Sequence, residues 1–222
     1  MREAFTAELD AISDDLVHLT RLVGSAMNRA TQSLLDADLR LAEEVIAADE
    51  QVDVITAETE EKCFDVIALQ APVASDLRIV IGALRIASSL ERMGDLAEHV
   101  AKQARMRYPA PAIPQELRGT FAEMGGIAEA IVSKTGAVIA TKDVALATDI
   151  ARHDEQMDHL HRELFTIVLS PSWKHGVEAA IDVTLLSRFY ERYADHAVSV
   201  TRRVVTIVTG EPYAGVTLDA GR

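Results

Sequence analysis

Glu91-Arg92-Met93-Gly94-Asp95-Leu96-Ala97-Glu98-His99-Val100 returns one hundred residues later as Glu191-Arg192-Tyr193-Ala194-Asp195-His196-Ala197-Val198-Ser199-Val200, identical at five of ten positions and at both acids. A second echo, Asp49-Glu50-Gln51-Val52-Asp53 against Asp154-Glu155-Gln156-Met157-Asp158, matches at four of five. Chance similarity between amphipathic helices explains shared alanines and leucines. It does not explain two acidic motifs recurring in the same order, so the chain is a tandem duplication. Asp38 matches Asp143 and Asp49 matches Asp154 at an offset of 105, whereas 64–69 aligns with 164–169 at an offset of 100. The second half therefore loses five residues near the middle of its second helix.

Working outward, apolar residues recur at three- and four-residue intervals almost everywhere and strand signals are nearly absent, which predicts an all-α chain. Helices are expected over 6–35, 39–69 and a third reaching 108, with Asp38 capping the second. Pro109, Pro111 and Pro114 end the third, because proline lacks the amide proton and clashes with the preceding turn. The second half repeats the plan over 115–141, a helix capped by Asp143 that runs to 169, and a last helix opened by Pro171 that ends near 209. Six long helices with short turns read as two three-helix bundles side by side. The expected units are 1–108, a Pro-rich linker at 109–114, and 115–209, with a disordered polar tail over 210–222.

Composition narrows the function classes. With 35 acidic and 22 basic side chains the net charge is −13, which argues against the basic footprint of nucleic-acid binding. It suits binding of cations or of a basic partner patch. The lone Cys63 cannot form an internal disulfide, so a reducing compartment is expected. Uncharged runs such as 66–75 and 164–173 reach ten residues, short of the roughly 18 of a membrane span. No signal peptide is read at the start, so a soluble protein is expected, with any membrane role indirect.

On a helix, acids four apart lie on one face. Asp49/Asp53 and Glu91/Asp95 form two such pairs in the first half, Asp154/Asp158 and Glu191/Asp195 two in the second. These acids interrupt apolar stripes. Val73, Leu77, Val80, Leu84 and Ala87 lead to Glu91, Asp95 and Glu98. Trp173, Val177, Ala180 and Thr184 lead to Glu191 and Asp195, and Ala42 and Val45 lead to Asp49 and Asp53, with Thr56 and Glu60 beyond. Gathered like charges are costly once desolvated. Arg92 and Arg192 could relieve them by salt bridges between helices. Alternatively the oxygens could hold hard cations such as magnesium, calcium, manganese or iron. A single pair reads most simply as a solvated helix face; four pairs at equivalent places favour metal.

His99 could extend the Asp95 stripe, but its counterpart is Ser199; His153, His159 and His161 flank the Asp154/Asp158 pair without counterparts, and peripheral positions are expected for all of them. A di-iron oxidase needs Glu-x-x-His on two helices, and only Asp15-x-x-His18 and Asp158-x-x-His161 come near it. No nucleophile elbow, P-loop or dinucleotide loop appears, and Gly125-Gly126 reads as a packing or bend site. Nothing here points to catalysis, and the readings that stand are a helical protein with two metal-binding acidic clusters, a carboxylate-bridged metal oxidase or hydrolase in a helical bundle, and a salt-bridged helical scaffold.

Two three-helix halves, each with Glu-Arg-x-x-Asp on its last helix and Asp-x-x-x-Asp on its middle one, resemble the PhoU family of phosphate-uptake regulators over residues 5–209. Pro72-Val73-Ala74-Ser75-Asp76-Leu77-Arg78 and, most specifically, Glu191-Arg192-Tyr193-Ala194-Asp195-His196-Ala197 strengthen the likeness. The resemblance implies a non-enzymatic, cytoplasmic, all-helical homodimer carrying multinuclear metal clusters. The ligands it implies are Asp49, Asp53, Glu91 and Asp95 in one half and Asp154, Asp158, Glu191 and Asp195 in the other. The metals are divalent or trivalent: iron, zinc, manganese or magnesium. It also implies repression of the phosphate-starvation response and restraint of high-affinity phosphate import. The implied partners are the phosphate ABC transporter, through its ATPase subunit, and a sensor histidine kinase. Family members often carry Asn where this chain has His99 and Ser199.

Overall fold

A computed structural model describes residues 2–211, with side chains from residue 5 onward; most of the tail expected to be disordered lies outside the described residues. Among the described residues there are six helices: α1 (Arg2–Asp36), α2 (Leu39–Gln70), α3 (Ala74–Arg107), α4 (Arg118–Thr141), α5 (Ala147–Val168) and α6 (Gly176–Thr209). Two 3-10 turns, Gln115–Leu117 and Val144–Leu146, precede α4 and α5. No strand occurs among the described residues, and no helix among them is long and apolar enough to cross a membrane.

The helix ends follow from local chemistry. Asp38 caps α2 by accepting the Leu41 amide at 3.0 Å, filling one of the donors a helix start leaves unpaired. Ala71 turns left-handed at φ 45° ahead of Pro72 and closes α2 by donating to the Ile67 carbonyl. Asp143 also caps, but accepts from Ala145 at 2.9 Å and so starts the short 3-10 turn rather than α5 itself. The last helix begins at Gly176, not at Pro171. Gly176 adopts φ 79°, a conformation cheap only for glycine, and the Trp173 indole pins the turn by donating to its carbonyl at 2.8 Å. In the Pro-rich segment, Ala112 and Ile113 are buried in the core.

Within the first half α1, α2 and α3 pack on one another, and α4, α5 and α6 do so in the second. The halves join because α1 lies on α4 and α3 lies on α6. Four helices thus enclose one shared core, and α2 and α5 flank it. Leu19 and Met27 of α1, Leu90 and Met93 of α3, Phe121 and Met124 of α4, and Tyr190 and Tyr193 of α6 are fully buried there. The two tyrosine hydroxyls are satisfied across the boundary: Tyr190 Oη shares a 2.7 Å hydrogen bond with Thr31 Oγ1, and Tyr193 Oη donates to the Val23 carbonyl at 3.2 Å.

Small residues set how closely α1 and α4 approach. A Cβ added at Gly125 would stand 2.6 Å from Thr31 Cγ2, whereas one at Gly126 meets nothing within 4 Å. Gly125 is therefore the packing glycine of the pair. Gly125→Ala is expected to lower unfolding free energy by about 1–3 kcal/mol through overpacking. Gly126→Ala should raise it by about 0.5–1 kcal/mol through helix propensity. Urea titrations check both, and equal effects of the two substitutions would contradict this packing.

Candidate functional site

Antiparallel packing of α2 on α3 brings Asp49 and Asp53 to Glu91 and Asp95, and the same packing of α5 on α6 brings Asp154 and Asp158 to Glu191 and Asp195. All eight acids picked out from the spacing thus fall into two clusters on the two outer seams. Asp53 and Asp195 are exposed and the other six half-buried, so both clusters sit at the surface rather than in the core. Glu60 and Glu98, already on the acidic stripes, join the first cluster. In the second half Val198 stands where Glu98 would be, so the clusters are not equal in charge. Gly94 lets the first draw tight: a Cβ there would meet Asp49 Oδ1 at 2.8 Å, whereas its counterpart Ala194 carries that atom.

The crowding shows in proton affinity. Burial, then Glu98, Asp53 and Asp95, push the Asp49 carboxyl up to about 6 against the pull of Lys102. Burial, then Asp158 and Asp195, push Asp154 up to about 7, with Arg202 opposing and Glu191 adding. Glu91 and Glu191 are also raised, by burial first; Arg92 and Arg188 oppose the rise, and neighbouring acids add to it. One carboxylate oxygen, Glu191 Oε2, is buried with no hydrogen-bond partner among the described residues. Thr56 Oγ1, one turn from Asp53 and Glu60 on α2, is another such atom. Buried polar atoms left unpaired are uncommon, and here one lies in or beside each cluster.

The counter-ions differ from those expected. Rather than bridging between helices, Arg92 bonds Asp95 at 2.7 Å along α3, and Arg188, not Arg192, bonds Glu191 at 2.5 Å along α6. Lys102 holds Glu98 at 2.5 Å. Among the described residues no group of three His, Cys, Asp or Glu is arranged to hold a metal ion. The donor chemistry, oxygen-only, anionic and partly desolvated, suits a hard cation, while the side chains as placed lean on their basic neighbours.

Asp158 acts on His161 and Asp195 on His196, but the hydrogen bonds and ring contacts of His161, His153 and His99 go to groups outside the clusters. His161 Nδ1 lies 2.9 Å from Ser187 Oγ, His153 Nδ1 lies 2.7 Å from the Asp149 carbonyl, and His99 stacks on Phe189. Asp15 pairs with Lys62 on α2 at 2.5 Å. Because α1 and α5 do not touch, Asp15/His18 and Asp158/His161 cannot share an ion as a di-iron oxidase would require. Cys63 is buried, its thiol pushed up to about 11 by burial and by Glu60 and Asp15, so it stays protonated.

A duplicated three-helix unit with a shared core and one acidic seam per copy defines a class of all-helical tandem-repeat proteins. The PhoU domain pattern matches twice, over residues 16–104 and 121–204. The chain belongs to the PhoU family. It is 50% identical over 210 residues to the phosphate-specific transport system accessory protein PhoU homolog 2 of Mycobacterium tuberculosis, spanning 95% of this chain and 99% of that protein. It is 33% identical to the PhoU homolog of Aquifex aeolicus, over 83% of this chain and 84% of the relative. Crystal structures of PhoU from Pseudomonas aeruginosa (TM-score 0.82, 28% identity, 93% of this chain and all of that one) and of the phosphate transport system regulatory protein PhoU from Streptococcus pneumoniae (0.84, 25%, 94% and 98%) share the fold.

An acid whose folded pKa is raised keeps its proton where the unfolded chain, titrating near 3.8, has lost it. Its contribution to stability is therefore greatest at low pH and is lost as pH rises through about 6 for Asp49 and about 7 for Asp154. Chelator-treated Asp49→Asn/Asp154→Asn protein should exceed wild type in urea resistance at about pH 8, and the advantage should shrink steadily toward about pH 4. A pH-independent difference would show that the seams do not concentrate charge in this way.

Proposed function

We propose that this chain is a non-enzymatic accessory protein of a phosphate-specific transport system. In this reading it restrains high-affinity phosphate uptake and represses the phosphate-starvation response. It acts in the cytoplasm as a homodimeric adaptor between the ATPase subunit of a phosphate ABC transporter and a sensor histidine kinase. The observation that carries the reading is end-to-end similarity, 50% over 95% of the chain, to a protein named as an accessory of that transport system. The absence of a membrane-crossing helix among the described residues suits a protein that meets the membrane through partners.

Surface chemistry supports an adaptor. Leu69, Val73, Leu77 and Ile81 near the α2–α3 turn are exposed, as are Leu169, Val177 and Ile181 near the α5–α6 turn. Leu69/Leu169, Leu77/Val177 and Ile81/Ile181 are equivalent in the duplication. Apolar side chains grouped in solvent suit protein partners, and both hairpin tips present them.

Metal binding belongs to the same proposal. Asp49, Asp53, Glu91 and Asp95 would hold one set of ions, and Asp154, Asp158, Glu191 and Asp195 the other. Iron, zinc, manganese or magnesium would neutralise the carboxylates that burial makes costly. Glu91→Gln with Asp95→Asn, which empties one of two seams, should lower metal content by about half, read by elemental analysis of protein purified without chelator. Unchanged stoichiometry would defeat the ligand assignment. Deleting the gene, in a strain with no paralogue, should derepress phosphate-starvation genes in phosphate-replete medium; normal repression there would sink the regulatory reading.

A further inference from the structure

Helices α3 and α6 pack across the boundary between the halves, so each contact between them has a twin with the roles exchanged at an offset of 100. At one junction the polar groups close on themselves. Asp182, 4% exposed, accepts from Arg107 Nε at 2.6 Å, from Arg107 Nη2 at 2.9 Å and from Gln103 Nε2 at 2.6 Å, while Arg107 also pairs with Glu178. His99 stacks on Phe189 beside them, ring centroids 5.3 Å apart.

At the twin junction both acids are gone. Arg78 replaces Glu178, Gly82 replaces Asp182, Arg203 replaces Gln103, and Ser89 and Ser199 replace Phe189 and His99. A groove of about 410 Å³ opens there, lined by Arg78, Arg85, Arg202, Arg203, Ser199 and Thr206 among others, with no carboxylate in its wall. Four of the chain's 22 basic side chains gather in it, on a protein of net charge −13. Among the described residues Arg78, Arg85 and Arg203 have no acid within ion-pair distance.

Arg202 also acts on Asp154, so the other three arginines carry the argument. Arg203 donates to Ser199 Oγ at 2.5 Å and to Ser89 Oγ at 3.3 Å, which orients its guanidinium without neutralising it. Burial and the nearby Arg85 together lower its proton affinity. The Nε of Arg78 is buried with no hydrogen-bond partner among the described residues. A buried donor without an acceptor is costly, and here it stands at the edge of a groove whose other polar groups are cations and hydroxyls.

We propose that this groove binds a small soluble phosphoryl anion, of the size of pyrophosphate or a nucleotide, held by Arg78, Arg85 and Arg203. Guanidinium groups converging from two helices match a multiply charged oxyanion better than a single carboxylate, because each presents a planar fork of donors. The volume exceeds a bare phosphate and falls in the range of small-molecule sites. An extended polyanion or an anionic lipid surface would meet the net negative charge of the rest of the chain. The inference does not depend on the transport reading.

The test is isothermal titration of pyrophosphate into the full chain, chelator-treated so that no cation bridges ligand to the acidic seams, at low ionic strength. Saturable binding near one per chain is expected, weakened about tenfold or more in Arg78→Gln/Arg85→Gln. Arg85→Gln alone, at an exposed position, should give a smaller loss in the same direction and guards against misfolding of the double variant. Lys102→Gln, at the twin of Arg202, should stay within about twofold of wild type. No saturable heat, undiminished binding by the double variant, or equal weakening by Lys102→Gln would overturn the proposal. Cosedimentation with phosphatidylglycerol vesicles in preference to pyrophosphate binding would overturn it as well.

Discussion

Because neither three-helix half can hide its second apolar face alone, α1 must lie against α4 and α3 against α6, and the residues at that contact govern the molecule. Interiors pack at crystal-like density, so the approach is limited by whatever side chains intervene. Gly24 faces Val132, Gly125 faces Thr31 and Gly136 faces Thr20, each at a distance that an added Cβ would bring to 3.0 Å or less. Tyr190 and Tyr193 then cross from α6 to place their hydroxyls on α1. Their burial fixes the rotation of α6: with 190, 193, 194 and 197 inward, Glu191 and Asp195 are turned toward the α5 seam. The core thus decides where the acids point.

That placement makes the seams electrostatically unusual for a helix surface. Exposed acids a turn apart repel by only tenths of a kcal/mol, too little to move a carboxyl from its ordinary range to about 6 or 7. Burial is the leading cause for Asp49, Glu91, Asp154 and Glu191 alike, with neighbouring acids adding to it. The basic residues at hand soften this incompletely, since Arg92 and Arg188 reach one acid each along their own helices. The first seam is the richer in charge, having Glu60 and Glu98, and the tighter, having Gly94. The second has Glu191 with one oxygen orphaned. Two copies of one motif have become two unlike sites.

The duplication, the six helices and the pairing of the acids were legible because each rests on a local repeat: acids at four-residue spacing, a cap such as Asp38, prolines at 109–114. Other features depend on distant partners and were not. Val73 and Leu77 continue an apolar stripe that becomes core at Val80 and Ala87, yet they are exposed, because periodicity says which face a residue occupies and not where the neighbouring helix ends. Pro171 carried a helix-start signal that Gly176 and Trp173 overrode by building a longer turn. The tyrosines inside and beside the second acidic motif gave no sign that they span the halves. Arg92 and Arg192 pointed to bridges between helices, whereas three-residue spacing along one helix won at Arg92 and Arg188.

A duplicated chain supplies its own reference state, and departures from it separate packing from use. The α3–α6 contact could have been closed the same way at both ends, since Asp182 with Arg107 and Gln103 shows that the geometry accepts a buried acid held by a cation and an amide. Repeating that solution at position 82 is blocked by Ile207, whose Cδ1 would lie 2.5 Å from a Cβ there. Ile207 itself stands where Arg107 stands in the twin. Compared with its twin, this junction therefore lacks the cation that needs an acid and has the acid's place filled, with Arg78 and Arg203 beside it. Substitutions made for packing alone would have replaced polar groups by apolar ones throughout, which costs little when both partners of a pair go together. Here the acids went and the cations increased. A local rule broken without a compensating contact in the fold is the mark of a functional surface, and this junction breaks it in only one of two otherwise equivalent places.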